Sequence, residues 1–221
     1  MSVPALEALE RLKQGNRRFV SGSVSHSGLD RQTRRAELAS EQFPFAIILG
    51  CSDSRVPAEM VFDQGLGDLF VIRVAGNIVA PSQVGSVEFA AARFDTRLVV
   101  VLGHSRCGAI EATLEELRKP SHETSGNQRS IVNRILPSVE GLLAGNPRLE
   151  ADALLDLAVR ENVKQSVDQL RHGSEIIEQL VREEGLLVVG AEYSLDTGVV
   201  EFFAGSSGAL SGSVRRREAL E

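Results

Sequence analysis

The sequence has no tryptophan, a single tyrosine and only two cysteines among its 221 residues. Two cysteines cannot build the disulfide framework of a small secreted domain. With 24 Lys and Arg against 30 Asp and Glu, the formal charge of −6 argues against a general nucleic-acid binder. The sequence also lacks a long hydrophobic run, and its first residues mix acids with bases, so we expect no membrane span and no secretory signal.

These absences predict a cytoplasmic protein that has neither nucleic acid nor membrane as a partner. In the reducing cytosol the two cysteines would be metal ligands, nucleophiles or buried thiols rather than a disulfide. Hydrophobic residues make up 43% of the chain and charged residues 24%, which is ordinary globular composition and enough for a core.

Five short apolar runs indicate the strands of a sheet. Four of them are rich in Val, Ile, Leu or Phe without clean alternation, which predicts strands buried on both faces of a mostly parallel sheet. The fifth follows the turn signal Asp-Thr-Gly, which predicts a hairpin and therefore an antiparallel edge strand. The five runs, in chain order, are 43–49, 68–74, 97–103, 185–193 and 198–204.

Helical patterns fill the intervals between these runs. They cover residues 4–21, 30–40, 82–94, 107–118, 128–144, 151–171 and 174–184. Strands that alternate with helices predict an α/β fold: a mostly parallel central sheet of four strands plus one antiparallel edge strand, flanked by helices. We expect a single domain over residues 1–204 and a loosely ordered C-terminal tail over 205–221.

Three potential metal ligands follow two of the predicted strands. Cys51 comes one glycine after the first run, His104 directly follows the third run, and Cys107 is three residues further on. Ligands of open α/β sheets bind beyond the carboxyl ends of the strands. Two cysteines and one histidine suit zinc and leave a fourth position open, as in catalytic sites. Each residue alone could equally be a buried thiol or a hydrogen-bonded core histidine, and only their joint placement favours a metal site.

Asp53 and Arg55 lie close to the first of these cysteines and admit three interpretations. The Asp53 carboxylate could be a fourth metal ligand. It could instead pair with Arg55, whose guanidinium offers a bidentate fork that suits a carboxylate, and so leave the metal position to water. The pair could also be a structural ion pair at the end of a strand.

The motifs that contain these residues resemble those of the β-class carbonic anhydrase family. The resemblance extends over nearly the whole chain to about residue 204. It is carried by CSDSRVPAE (51–59), FVIRVAGN (70–77), VEFAA (87–91) and VLGHSRCGAI (101–110), and more weakly by ENVKQSV (161–167).

The resemblance implies an enzyme with one zinc ion per chain, bound by Cys51, His104 and Cys107. It implies that Asp53 and Arg55 are catalytic residues which keep the fourth zinc position for water or hydroxide. Zinc-bound hydroxide would then attack carbon dioxide, in a reversible hydration to bicarbonate and a proton. We also expect a closed form at low pH, in which Asp53 is the fourth zinc ligand.

The resemblance further implies residues for substrate and for assembly. Gln42 would donate a hydrogen bond to substrate, while Phe70, Phe89 and Ala75 would line a small apolar pocket. Residues 1–40 would form an N-terminal helical arm that packs across a neighbouring subunit in a homodimer or homotetramer, with the active sites at the dimer interface. Alternatively, this helix packs on its own domain.

Two other functions are compatible with the same ligands. A relative on the same scaffold could hydrolyse carbon disulfide or carbonyl sulfide. The chain could also be a zinc-binding protein without catalysis, although such a protein would need neither an open position nor the Asp53–Arg55 pair. A redox role for the two cysteines is a further alternative.

Overall fold

The computed structural model describes residues 3–24, 31–119, 125–145 and 149–205. Five strands and eight helices lie within these ranges. The strands are β1 (Ala46–Gly50), β2 (Leu69–Arg73), β3 (Leu98–His104), β4 (Leu187–Tyr193) and β5 (Val200–Ala204). The helices are α1 (Ala5–Ser21), α2 (Arg31–Glu37), α3 (Ala58–Val61), α4 (Pro81–Arg93), α5 (Gly108–Arg118), α6 (Gly126–Gly145), α7 (Ala151–His172) and α8 (Glu175–Glu183). Of the tail predicted for 205–221, all residues after Gly205 lie outside the described ranges.

The five strands form one sheet with the order β2-β1-β3-β4-β5. The first four strands are parallel to their neighbours, and β5 pairs antiparallel with β4 at the edge. The predicted α/β fold is therefore confirmed, including the antiparallel edge strand. Because β1 lies directly beside β3, the segments that follow these two strands emerge at the same edge of the sheet.

Two short elements differ from the sequence-based expectation. Helix α3 has only four residues, and a 3₁₀ turn at Ala75–Asn77 contains Gly76 with φ +68°. Both are too short to produce a periodic pattern, so the sequence did not indicate them. β1 also begins later than the predicted 43, after Pro44, which has no N–H to donate to a strand ladder.

The central strands are buried on both faces, as their unbroken apolar composition predicted. All residues of β1 and β3 are buried. Alternate side chains of β1 enter opposite layers: Ile48 belongs to the cluster that contains Leu12 of α1, whereas Ile47 belongs to the cluster that contains Val163 of α7. Burying these aliphatic side chains contributes on the order of 1.5–3 kcal/mol each to folding. No helix among the described residues combines the length and the apolar composition needed to cross a bilayer.

Helix α1 packs on its own domain in this chain. Leu9 and Leu12 are at most 2% exposed, although Leu6 on the predicted apolar stripe is 61% exposed. The buried side chain of Asn16 donates to the carbonyls of Val61 and Gly198 at 3.1 and 2.8 Å. These contacts place α1 on its own domain, and its packing across a neighbouring subunit stays a prediction.

Gly15 allows α1 to approach the chain that follows α3. A Cβ atom at this position would overlap the carbonyl oxygen of Phe62, which is backbone and cannot rotate away. We expect Gly15→Ala to lower the free energy of unfolding by about 2–4 kcal/mol, as overpacking in a core does. The exposed helical residue Gly85 has open space around its Cβ position. Gly85→Ala should raise the free energy of unfolding by about 0.5–1 kcal/mol, because alanine has the better helix propensity. Urea unfolding measures both; similar effects of the two variants would contradict the close approach of α1.

Candidate metal centre

The three predicted metal ligands converge at the carboxyl ends of β1 and β3. The register pairs Gly50 with Leu102, so Cys51, which follows β1, lies close to His104, the last residue of β3. Cys107 immediately precedes α5 and returns to the same place. All three side chains are buried, at 5%, 0% and 1% exposure for Cys51, His104 and Cys107. Their ligand atoms all lie within 4.8 Å of one another.

The spacing of the two sulfur atoms fits a zinc ion. The Sγ atoms of Cys51 and Cys107 are 3.9 Å apart, and both cysteines are free thiols rather than a disulfide. Two sulfurs bound to one tetrahedral zinc at about 2.3 Å are expected about 3.8 Å apart. A set of two thiolates and one imidazole supplies the soft ligands that zinc prefers.

The orientation of the His104 ring leaves one nitrogen free for a metal. Its Nδ1 lies 2.9 Å from the carbonyl oxygen of Ser105, which can only accept, so Nδ1 carries the proton. Nε2 is buried and has no hydrogen-bond partner among the described residues. A buried imidazole whose other nitrogen donates to a carbonyl is the usual arrangement of a metal-ligating histidine. The Nε2 lone pair is thus directed at the position that a cation would fill.

The environment of the two sulfurs favours a charged form at Cys51. The hydrogen bond from the Cys107 thiol lowers the pKa of Cys51 to about 4 against the opposing effect of burial. The same contact, together with burial, raises the pKa of Cys107 above its usual range. The backbone N–H of Gly76 also donates to the Cys51 sulfur at 3.4 Å. Thiolates are the form in which cysteine binds metals.

Asp53 is bound to Arg55 through both carboxylate oxygens. Its Oδ1 accepts from the Arg55 backbone N–H and Nε at 3.0 and 2.9 Å, and its Oδ2 accepts from Nη2 at 2.7 Å. These hydrogen bonds hold the pKa of Asp53 well below its ordinary value. Oδ2 lies 3.8 Å from Nε2 of His104. The carboxylate therefore stands beside the three ligands while paired with arginine, which is the second of the three interpretations.

Arg73 fixes the backbone that carries Cys51 and Asp53, a role that sequence reasoning missed. Its Nε donates to the carbonyl of Cys51 at 3.0 Å, and its Nη2 donates to the carbonyl of Asp53 at 2.6 Å. The register pairs Arg73 with Gly50 and so explains the contact. The motif FVIRVAGN contains this arginine, but nothing local in the sequence indicates which carbonyls it would reach.

The predicted substrate residues do not all lie at this site. Ala75 is half-buried and precedes Gly76, whose N–H contacts Cys51. Gln42 is exposed and precedes β1, whereas Cys51 follows β1, so the two residues flank opposite ends of one strand.

Phe70 and Phe89 contact each other and a third ring in an aromatic cluster with Phe94. The ring centroids are 5.7 to 6.3 Å apart. Phe89 is 55% exposed. Because the edge strand β2 carries Phe70, this cluster lies at the edge of the sheet and presents aromatic surface to the outside.

Comparison with known proteins gives consistent matches. A sequence model of a family described as carbonic anhydrase matches residues 46–200. The chain is 42% identical to a carbonic anhydrase of Mycolicibacterium smegmatis over 88% of this chain and 91% of the relative. It is 40% identical to carbonic anhydrase 2 of Mycobacterium tuberculosis over 86% and 89%. A solved β-carbonic anhydrase of Aspergillus fumigatus, CafA, is similar with a TM-score of 0.71 and 26% identity, over 82% of this chain and 88% of that structure.

Proposed function

The chain belongs to the β-class carbonic anhydrase family, a family of zinc enzymes that hydrate carbon dioxide, and we propose that Cys51, His104 and Cys107 are the residues that bind its zinc. Its activity is accordingly the reversible hydration of carbon dioxide to bicarbonate and a proton. One observation carries the assignment of the site. The potential ligand atoms of three buried side chains converge beside the Asp53 carboxylate, and Arg55 donates hydrogen bonds to both oxygens of that carboxylate.

Asp53 and Arg55 supply the protein's part of the chemistry. When bound, zinc lowers the pKa of a coordinated water to near neutrality and so supplies a nucleophile without a strong base. Arg55 keeps Asp53 ionised, so this carboxylate is an acceptor only and cannot donate a proton. Asp53 would therefore accept a hydrogen bond from the nucleophile and so orient a lone pair of that oxygen toward carbon dioxide. Ala75, beside the Cys51 sulfur, would contribute to the apolar wall that receives this gas.

We also propose the closed form in which Asp53 is itself a zinc ligand at low pH. The carboxylate stays charged on acidification because Arg55 lowers its pKa, and its Oδ2 is already 3.8 Å from a ligand nitrogen. The carboxylate could therefore replace water by rotating away from Arg55. X-ray absorption of the zinc enzyme at pH 6 and pH 8.5, on wild type and Asp53→Asn, checks this form. An identical spectral change in both proteins would contradict it.

The proposed assembly is a homodimer or homotetramer. The edge strand β2 is unpaired on its outer side within the described sheet, and Phe89 exposes more than half of its surface beside it. Sheet edges and aromatic surfaces of this kind are commonly covered by a partner. Because Gln42 lies at the other end of β1 from Cys51, we propose that Gln42, Phe70 and Phe89 serve the active site of a neighbouring subunit.

A cytoplasmic location is the proposal that best suits the two cysteines. Both are free, and their sulfurs are only 3.9 Å apart. A reducing compartment keeps such thiols available as zinc ligands, whereas oxidising compartments favour disulfides.

Stopped-flow carbon dioxide hydration near pH 8 tests the proposed function, with the zinc content per chain determined on the same sample. We expect fast hydration and one zinc per chain. Carbonyl sulfide and carbon disulfide are assayed in parallel, because they are the substrates of the alternative function. Full zinc occupancy with hydrolysis of these sulfur compounds and no hydration would overturn the assignment. Protein that binds no zinc would overturn the metal site itself.

A further inference from the structure

Two buried polar side chains of α7 bind the backbone of the turn at residues 75–77, which lies beside Cys51. Asn162 and Ser166 are each 2% exposed and, four residues apart, lie on one face of the helix. Asn162 Nδ2 donates to the carbonyl of Gly76 at 2.9 Å, and Ser166 Oγ donates to the carbonyl of Asn77 at 3.2 Å. Ser138 Oγ of α6 lies 3.4 Å from Asn162 Oδ1 but donates its proton to the carbonyl of Ile135 at 2.5 Å. Both hydrogen bonds from α7 go to backbone carbonyls rather than to Cys51, His104 or Cys107.

The segment held by these side chains has an unfavourable backbone conformation. Gly76 has φ +68° and Asn77 has φ +43°, so two consecutive residues are in the left-handed region. A non-glycine residue there is strained and needs support from its surroundings. A Cβ at position 76 would lie 2.8 Å from the terminal Cδ1 of Ile135, and the positive φ of this residue by itself favours glycine. The hydrogen bonds from α7 supply that support at both carbonyls.

This backbone conformation brings one N–H to a metal ligand. Gly76 N–H donates to the Cys51 sulfur at 3.4 Å. An N–H···S hydrogen bond withdraws negative charge from a thiolate, stabilises it against protonation and fixes its orientation toward a metal. Asn162 donates to the carbonyl of the same residue, Gly76.

We propose that Asn162 and Ser166 are positioning residues of the metal centre. They hold the 75–77 turn so that Gly76 N–H contacts the Cys51 sulfur, and through that contact they slow the release of zinc. This inference rests on the proposed zinc site, but the rate of zinc release is measured separately from carbon dioxide hydration. Outer partners of metal ligands typically contribute 10–100-fold in metal affinity.

The experiment compares zinc transfer to an excess of chelator from the zinc-loaded wild type, Asn162→Leu and Ser166→Ala. Leucine is close to asparagine in shape and removes the donor to Gly76. We expect release about 10–100-fold faster in Asn162→Leu and several-fold faster in Ser166→Ala. In the cadmium-113 form, the Gly76 amide proton of the wild type should show a coupling to the metal through the N–H···S bond, and this coupling should be lost in Asn162→Leu.

The matched control is Asn16→Leu. Asn16 is also buried, at 5%, and makes three hydrogen bonds to backbone groups away from the zinc ligands: it donates to Val61 and Gly198 and accepts from Val200 N–H. We expect Asn16→Leu to lower the midpoint of urea unfolding at least as much as Asn162→Leu, with zinc release at the wild-type rate.

Wild-type release rates in both α7 variants would overturn the inference while leaving the zinc site intact. Equal acceleration in Asn16→Leu would overturn it too, because the effect would then be general destabilisation. If Asn162→Leu does not fold, Ser166→Ala alone decides, and an unchanged release rate there contradicts the proposal. A wild type without zinc would refute the proposed function instead.

Discussion

Asp53→Ala is expected to reduce kcat/KM for carbon dioxide hydration by about 10²–10³-fold, the usual cost of removing one preorganised polar group from an active site. The zinc content should stay at one per chain, because Asp53 is bound to Arg55 rather than to the three ligands. Stopped-flow hydration and metal analysis on the same samples measure both quantities.

Asp196→Ala is the matched control for this variant. Asp196 pairs with Arg106 at 2.5 Å, next in sequence to the proposed ligand Cys107, but both side chains are about 60% exposed. This variant therefore removes an aspartate–arginine pair without touching the metal centre, and we expect wild-type hydration. An Asp53→Ala enzyme with wild-type activity would contradict the catalytic role and would revive the third interpretation, a structural ion pair at the strand end.

The pH dependence of the activity deficit in Asp53→Ala follows from the charge state of Asp53 in the wild type. Hydrogen bonds from Arg55 lower the pKa of Asp53, so its charged form is present above that value and is lost only as the pH falls through it. Because an ordinary aspartate has a pKa of about 3.9, Asp53 stays ionised throughout pH 5–9. We therefore expect Asp53→Ala to be less active than the wild type by the same factor at every pH in this range. A deficit that appears only at one end of the range would show that Asp53 titrates there.

Cys107→Ser is expected to raise the dissociation constant for zinc by about 10³-fold, which corresponds to about 4 kcal/mol. Serine nearly matches the shape of cysteine, but its neutral hydroxyl is a poor zinc ligand. This loss is smaller than the binding free energy of about 10–16 kcal/mol that structural zinc sites provide, as expected when one of several ligands is removed. Competition with a chelator measures the constant. Hydration should be lost in proportion to the zinc lost.

Thr113→Val provides the control on the same helix. Thr113 is fully buried in α5 and donates to the carbonyl of Ala109. Valine replaces its hydroxyl with a methyl group of similar size and leaves the proposed zinc ligands unchanged. We expect unchanged zinc affinity. If Cys107→Ser binds zinc as tightly as Thr113→Val, Cys107 is not a ligand and the three-residue site is wrong.

The sequence by itself determined the architecture and indicated the proposed ligands. The apolar runs that became β1 and β3 lack alternation because both faces of these strands are covered, and burial leaves that signature in local composition. The turn signal before β5 likewise specified a hairpin, and β5 is antiparallel. The ligand residue types were also visible, since only two cysteines are present and one histidine lies three residues before the second. Each of these features is encoded within a few consecutive residues.

Only the tertiary structure decided how these groups meet. The neighbouring positions of β1 and β3 place Cys51 beside His104, and the register of β2 brings Arg73 to the carbonyls after Cys51. The left-handed Gly76 and its support by Asn162, 86 residues away, leave no periodic pattern in the sequence. Strand order, register and hydrogen bonds between distant residues depend on the packing of the whole chain. For that reason local sequence patterns predicted the elements and the ligands, but not the contacts that orient them.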